Sequence, residues 1–353
     1  MRKILHIKHH FDDYECMWNG IEDVFMEKTG QELPPNFFFA LSSFASFCYM
    51  KTDKSDLKRL VALGDGRTEK MYEFLAPIIG LKYKHISYGA FERALSASIV
   101  EINKANPVVL GALDMNYLPY FRKLYHQGES IPFHYVLMTG YDDEKEEVYV
   151  YDCGRTEIAA IPYLDLKDAW NCSYPGLSKP FTLCKFDFEN INDDIYRICK
   201  EALSRRADVY LNPPVGFIGY KGFEKFIIEL KTKWNDELSK EDFNTIIRNL
   251  IFFFGTVPGF PNRLKGSNEK DATPFCGGFG KTALILDILG KKYKDRSFLA
   301  ASKIFYDTGF VIEEITNNLV DYLLDINKNL DKTTDLLIAV KDNLYQGLKI
   351  LKS

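Results

Sequence analysis

An α+β fold is predicted, with an antiparallel sheet in the first half of the chain and a mainly helical second half, and three observations predict it. Residues 131–153, IPFHYVLMTGYDDEKEEVYVYDC, read as a β-hairpin. Apolar and aromatic residues run from Phe133 to Tyr141, the cluster Asp142, Asp143, Glu144 and Lys145 makes the turn, and alternation resumes through Val148, Tyr149, Val150 and Tyr151. Just upstream, PVVLGAL is a further apolar strand suited to the same sheet. From Asn192 the composition changes to long helical segments at 192–207, 219–233, 241–254, between 279 and 305, and from 310 to the end. A chain of 353 residues accommodates two domains. We divide it into 1–190 and 191–353, with Asn212, Pro213, Pro214 and Gly216 as the joint.

The remaining elements follow in order. His6, His9 and His10 surround Lys8 ahead of Asp12 and Asp13, but nothing further on completes a ligand set, so no metal is expected. From Cys16 a helix carries an apolar stripe of Trp18, Ile21, Val24 and Phe25 and closes at Gly30, with Asp12 or Asp13 as its N-cap. Pro34 and Pro35 precede an aromatic cluster of Phe37, Phe38, Phe39, Phe44, Phe47 and Tyr49, read as core in preference to the wall of an acyl pocket. GLKYKHISYGAFERAL gives a short strand and a helix, and Tyr117, Tyr120 and Tyr125 lie in the loop before the hairpin, over the expected cleft. After Asp152 come a strand, a short helix capped around Asp165 and a last strand at 181–189. The break GTVPGFPNRLKGSNEKDATPFCGG reads as a loop returning over the site. GGFGKT lacks the first glycine of a phosphate-binding loop, because Phe275 stands there, so Gly277 and Gly278 are assigned to a tight helix start.

Side-chain alternation puts His134, Val136 and Met138 on one face of their strand, and the returning strand ends at Asp152, near the level of His134. A carboxylate within reach of an imidazole is a base and its orienter. The missing nucleophile is assigned to Cys16. A cysteine in a first helical turn meets unsatisfied N–H groups and the positive dipole end, which favour a thiolate and can receive an oxyanion, while Glu15 opposes thiolate formation. His10 is the candidate second oxyanion donor. Among the rivals, Cys153 would point away from Asp152 in an extended strand, Cys48 lies in an aromatic run, Cys172 in a loop, and His126 has no carboxylate strand partner. A nucleophile near the N-terminus, with His and Asp on consecutive strands far downstream, is how papain-like cysteine enzymes are laid out.

Cys16 opening its helix, then TGQELPPNFFFALSSFASFCYM, FHYVLMTGYDD and VYVYD, resembles the N-terminal domain of the butirosin biosynthesis protein H family. The hairpin is also similar to that of double-glycine peptidases, where HxVxxxGYD and a strand ending in Asp supply His and Asp. GFIGYKGFEKFIIELKTKW and CGGFGKTALILDIL are similar to the helical domain that commonly follows in butirosin-type proteins. Two departures stand out: Glu15 replaces the family's His before Cys, and ALSSFASF replaces a Gly-rich stretch. The resemblance implies a papain-like Cys16–His134–Asp152 site that moves an acyl group from an acyl-carrier-protein-type thioester to a small-molecule amine, with no cofactor. The alternatives are a cysteine peptidase or amidase, and an inactive papain-like binding module. The helical domain is left with three roles: binding a carrier, forming a homo-oligomer, or closing the cleft.

Composition bounds the rest. A net charge of -4 and a pI near 6.0 give no basic footprint for nucleic acid. The longest apolar run, LIFFF near 252, is far short of the ~20 residues that span a bilayer, so no membrane association is expected. MRKILHIKHHFDD has no apolar stretch of a signal peptide, and a cytoplasmic location is expected. Seven cysteines without CxxC spacing argue against a disulfide framework and a structural zinc site.

Overall fold

The computed structural model describes residues 1–12, 16–52, 58–63, 68–121, 134–173, 178–254 and 278–352. Within them the chain runs through β1 (Arg2–Ile4), α1 (Asn19–Thr29), α2 (Phe37–Ser43), β2 (Phe47–Lys51), β3 (Arg59–Leu63) and α3 (Thr68–Ile79). Next come β4 (Lys82–Ser87), α4 (Phe91–Asn103), β5 (Val108–Leu113), a 3-10 turn (Met115–Tyr117), β6 (His134–Asp142) and β7 (Glu147–Tyr151). β8 (Ala159–Pro162), α5 (Tyr163–Trp170) and β9 (Thr182–Asp187) complete the strand-rich part. Helices follow: α6 (Ile195–Leu211), α7 (Gly219–Thr232), α8 (Trp234–Glu237), α9 (Lys240–Phe254), α10 (Phe279–Tyr293), α11 (Arg296–Leu323) and α12 (Asp331–Lys352). The α+β class with an antiparallel sheet is therefore present. None of the described helices is long and apolar enough to cross a membrane.

The chain forms two compact units, Met1–Phe38 with Tyr72–Ile195, and Phe39–Met71 with Tyr196–Ser353. In the first, a seven-stranded antiparallel sheet has the order β4-β9-β5-β6-β7-β8, and β1 pairs with the far end of β6. β6 is buried along almost its whole length because it has neighbours on both edges. The hairpin of the sequence reading is present, its turn held by the Asp142 carboxylate, which accepts from the N–H groups of Glu144 and Lys145 at 3.0 and 3.2 Å. A register shift between Met138 and Gly140 brings Tyr141 into the same core as Val136, Met138, Val148 and Val150. α4 and α5 cover that face with Phe91, Leu95, Ile102, Leu166 and Trp170.

The opposite face carries Leu137, Val109, Cys184 and His85 in one cross-strand row. α1 lies against it at Gly20, where a Cβ would stand 2.4 Å from the Leu137 Cβ, so only a glycine admits the helix this close. Tyr72 of α3 packs edge-on against His85 and Phe186, and Trp18 packs edge-on against Tyr72 and Phe38 with centroids 4.7 and 5.5 Å apart.

In the second unit the β2–β3 hairpin packs on α7. Phe47 meets Phe223 at 4.6 Å between ring centroids, the Tyr49 hydroxyl donates to Glu229 Oε2 at 2.7 Å, and Trp234 Nε1 donates to the Tyr49 oxygen at 3.1 Å. Buried Arg59 pairs with Glu237 and faces Glu229 at 3.9 Å. The aromatic run from Phe37 to Tyr49 is core, as expected, but it divides between the two units.

Here the structure departs from the single cut at 190/191: residues 39–71 join the helices because their hairpin buries aromatic side chains on α7 rather than on the large sheet. The 212–216 joint falls inside the second unit, between α6 and α7. α11 is continuous across 305–310, where two segments were expected. Asp295 caps its start, accepting from the N–H groups of Ser297 and Phe298, and no proline interrupts it.

Gly20→Ala should lower stability by about 1–3 kcal/mol, since overpacking must push α1 off β6. Urea denaturation checks this, and an unchanged midpoint would refute the close approach at Leu137.

Candidate active site

β6 begins with His134 and β7 ends one residue before Asp152. Continuing the Leu137–Tyr151 register places Asp152 opposite Val136, diagonal to His134 on the same face. Both side chains are buried, and His134 Nε2 lies 2.8 Å from Asp152 Oδ1 and 2.7 Å from Oδ2. The Tyr120 hydroxyl donates to Oδ2 at 2.7 Å, and the Phe121 ring meets the imidazole edge-on at 5.3 Å. The Cys16 side chain hydrogen-bonds His134. The three residues singled out from the sequence thus come together through one imidazole.

Burial alone would lower the His134 pKa, but the charges of Asp152 and Cys16 and hydrogen bonds to both raise it to about 10. The site therefore favours a proton on the imidazole. Burial, with the neighbouring Cys16 and Asp152, pushes the Cys153 thiol strongly upward, which keeps it protonated. Cys153 does not point away from Asp152 as an extended strand would require. β7 has ended, Gly154 turns the chain at φ 74° with its N–H donating to the Asp12 carbonyl, and the sulfur stays beside the carboxylate.

Cys16 lies in a turn at 16–18 ahead of α1, whose N-cap is Trp18 without a side-chain cap bond, and not inside the first helical turn. The Asp12 carboxylate accepts the Asn36 N–H at 3.1 Å. Packing holds the thiol turn instead: the Tyr72 hydroxyl donates to the Met17 carbonyl at 2.6 Å, and Trp18 is fully buried. Asp13 and Glu15 lie outside the described residues, as do Tyr125, His126 and residues 255–277, which include Phe275, Gly277 and the segment expected to return over the site. Asp165 stands in the first turn of α5, where Pro162 holds the N-cap position.

The sequence reading missed a buried polar network on α1. Asp23 binds both histidines, with His9 Nδ1 on Oδ2 and His10 Nδ1 on Oδ1, each at 2.6 Å. His10 Nε2 faces Glu22 Oε2 at 3.3 Å, and Glu22 Oε1 accepts the Phe38 N–H at 2.6 Å. His9 Nε2 lies 3.0 Å from the Asp152 carbonyl oxygen and its ring stacks on Tyr151 at 4.6 Å. Both ring nitrogens of His10 are thus engaged by carboxylates, which takes this residue out of the oxyanion role expected of it. The signal in the sequence was two acids, Glu22 and Asp23, set between the apolar residues Ile21 and Val24, with two adjacent histidines upstream to match them.

Among the described residues, two sets of groups have metal-compatible spacing, His134, Asp152 and Cys153, and His10, Asp12 and Glu22, each with ligand atoms within 4.8 Å of one another. In the first, His134 and Asp152 already satisfy each other and the thiol is held protonated. In the second, the imidazole is bonded to Asp23 and Glu22.

Burial by itself would lower the His10 pKa, but its bonds to Asp23 and Glu22 raise it from 6.5 to about 10. A raised pKa means stability that is fully present below about 6.5 and fades as pH climbs through about 10. Urea unfolding from pH 6 to 10 should show this decline, and His10→Gln should flatten it. A variant with the native slope would assign the effect to another group.

Comparison with known proteins covers part of the chain. Residues 15–153 match the family model described as butirosin biosynthesis protein H, N-terminal, which bears out the resemblance read from the sequence over that segment. The uncharacterized protein YobF of Bacillus subtilis (strain 168) is similar, 29% identical over 120 residues. That alignment takes in 33% of this chain and 38% of the relative, so it spans well under two thirds of that protein.

Proposed function

We propose, from a segment that matches the butirosin biosynthesis protein H N-terminal family and from the contacts it makes, that this protein is a cysteine-dependent acyltransferase on a papain-like domain. It would take an acyl group from a carrier-type thioester and pass it to a small-molecule amine. The observation that supports this reading best is a buried His134 bonded on one side to Asp152 and in hydrogen-bond contact with Cys16.

The chemistry follows from the geometry. With Nε2 turned to Asp152, Nδ1 is the nitrogen left to take the proton of the Cys16 thiol, and Asp152 with Tyr120 holds the ring and stabilises the imidazolium. The thiolate attacks the thioester carbonyl carbon, forming a carbon–sulfur bond while the carbonyl oxygen gains the electron pair. When the carbonyl reforms, the donor sulfur leaves and takes the proton from His134, giving a free thiol and an acyl-Cys16 enzyme. An amine nitrogen then attacks the acyl carbon, His134 accepts its proton, and the amide departs as Cys16 is expelled and reprotonated. Water in place of the amine gives hydrolysis by the same steps.

Intact mass after incubation with a panel of acyl thioesters tests this. The native chain should gain one acyl group, Cys16→Ala none, and Cys153→Ala the native amount. Asp152→Asn should slow acylation by roughly 10²–10⁴-fold, because the imidazole loses its orienting charge. Discharge of the adduct by amines but not by amine-free buffer supports transfer, and discharge by buffer alone supports a hydrolase. No adduct from any thioester, with Cys16 inert to iodoacetamide at neutral pH, would overturn the catalytic reading in favour of a binding module.

A further inference from the structure

The turn after β7 carries a cation that the chemistry above does not use. Arg155 follows Gly154, and its guanidinium carbon lies 4.4 Å from the centroid of the Tyr120 ring, whose hydroxyl donates to Asp152. One tyrosine therefore meets this cation over its ring face and the buried carboxylate through its hydroxyl. Arg155 Nε is buried without a hydrogen-bond partner among the described residues, and the charge of Glu157, an exposed residue two positions on, is its nearest acidic neighbour in sequence. The neighbours of Arg155 in the turn are paired: the Gly154 N–H reaches the Asp12 carbonyl, and both Asp152 oxygens are bonded.

A buried donor left unpaired is unfavourable, and a chain that keeps one beside a reaction centre has a ligand group to meet it. The contact with the Tyr120 ring holds the guanidinium in place without using its N–H donors, and a guanidinium is the side chain that meets a carboxylate or phosphate through two parallel bonds. An acyl donor of the carrier type presents such an anion, either a phosphate on its pantetheine arm or a carboxylate on its acyl group.

We infer that Arg155 is a binding residue for an oxyanion of the thioester donor, a phosphate or a carboxylate, held beside the Cys16–His134–Asp152 contacts by the Tyr120 ring. This rests on the acyl-transfer reading for the identity of the donor, but not for the existence of the anion site. The alternative is that Arg155 does no more than cover the Tyr120 face.

The test separates the two. Binding of pantetheine, 4′-phosphopantetheine and S-succinylpantetheine is measured by titration calorimetry on Cys16→Ala, which removes turnover, with Arg155 intact or changed to Gln or Lys. One of the two anionic compounds should bind at least tenfold more tightly than pantetheine, and which one does so identifies phosphate or carboxylate as the group. Arg155→Gln should erase that preference without altering pantetheine binding, and Arg155→Lys should restore part of it. Equal binding of all three compounds, no binding of any, or an equal loss for all three in Arg155→Gln would overturn the proposal. Anion preference at Arg155 without acylation of native Cys16 would uphold the anion site while removing the acyl-transfer reading.

Discussion

One buried carboxylate ties the N-terminal half of the site together. Asp23 holds His9 and His10, at 2.6 Å each, and so joins the extended N-terminal segment to α1. Through the second nitrogen of His9 the connection continues to the Asp152 carbonyl, at the end of β7. A charge buried this deeply is costly unless it is paired, and here the pairing is with two imidazoles whose positions are thereby fixed. The ladder of strands sets the distance between His134 and Asp152, whereas the Asp23 network sets where α1 and the Cys16 turn stand against that ladder.

The sheet contributes rigidity of a different kind. With β6 bonded along both edges, His134 starts a strand that cannot slip without moving every side chain of the core to the wrong face. The missing side chain of Gly20 then lets α1 lie close enough for the turn before it to reach the strand end. Electrostatics follow from this packing. Enclosed between Asp152, Cys16 and the Phe121 ring, the imidazole favours its protonated form, while burial and the same neighbours push the Cys153 thiol upward and keep it protonated.

Much of the site was legible because strand alternation is a local rule. His134, Asp152 and the hairpin joining them could be read from the order of apolar and polar residues, and Cys16 from its place before an amphipathic helix and from the family resemblance. The Asp23 network was not legible as a network. His9 and His10 read as part of an incomplete ligand set, His10 also as an oxyanion donor, and Glu22 and Asp23 carried no reading of their own. The burial of all four depends on which face of α1 meets the sheet. Arg155 was equally silent, since a single arginine after a glycine acquires meaning only when a ring from a distant segment lies under it.

The same division holds for the molecule as a whole. By itself the sequence determined the α+β class, the antiparallel hairpin with its histidine and aspartate, the aromatic core and the helical character of the second half, because periodicity and turn chemistry act over a few residues. Tertiary structure decided that residues 39–71 leave the sheet-bearing unit for the helical one, that Cys16 precedes its helix instead of lying in it, and that His10 is consumed by carboxylates. Each of these depends on which distant surfaces bury one another, and burial is a property of the assembled chain.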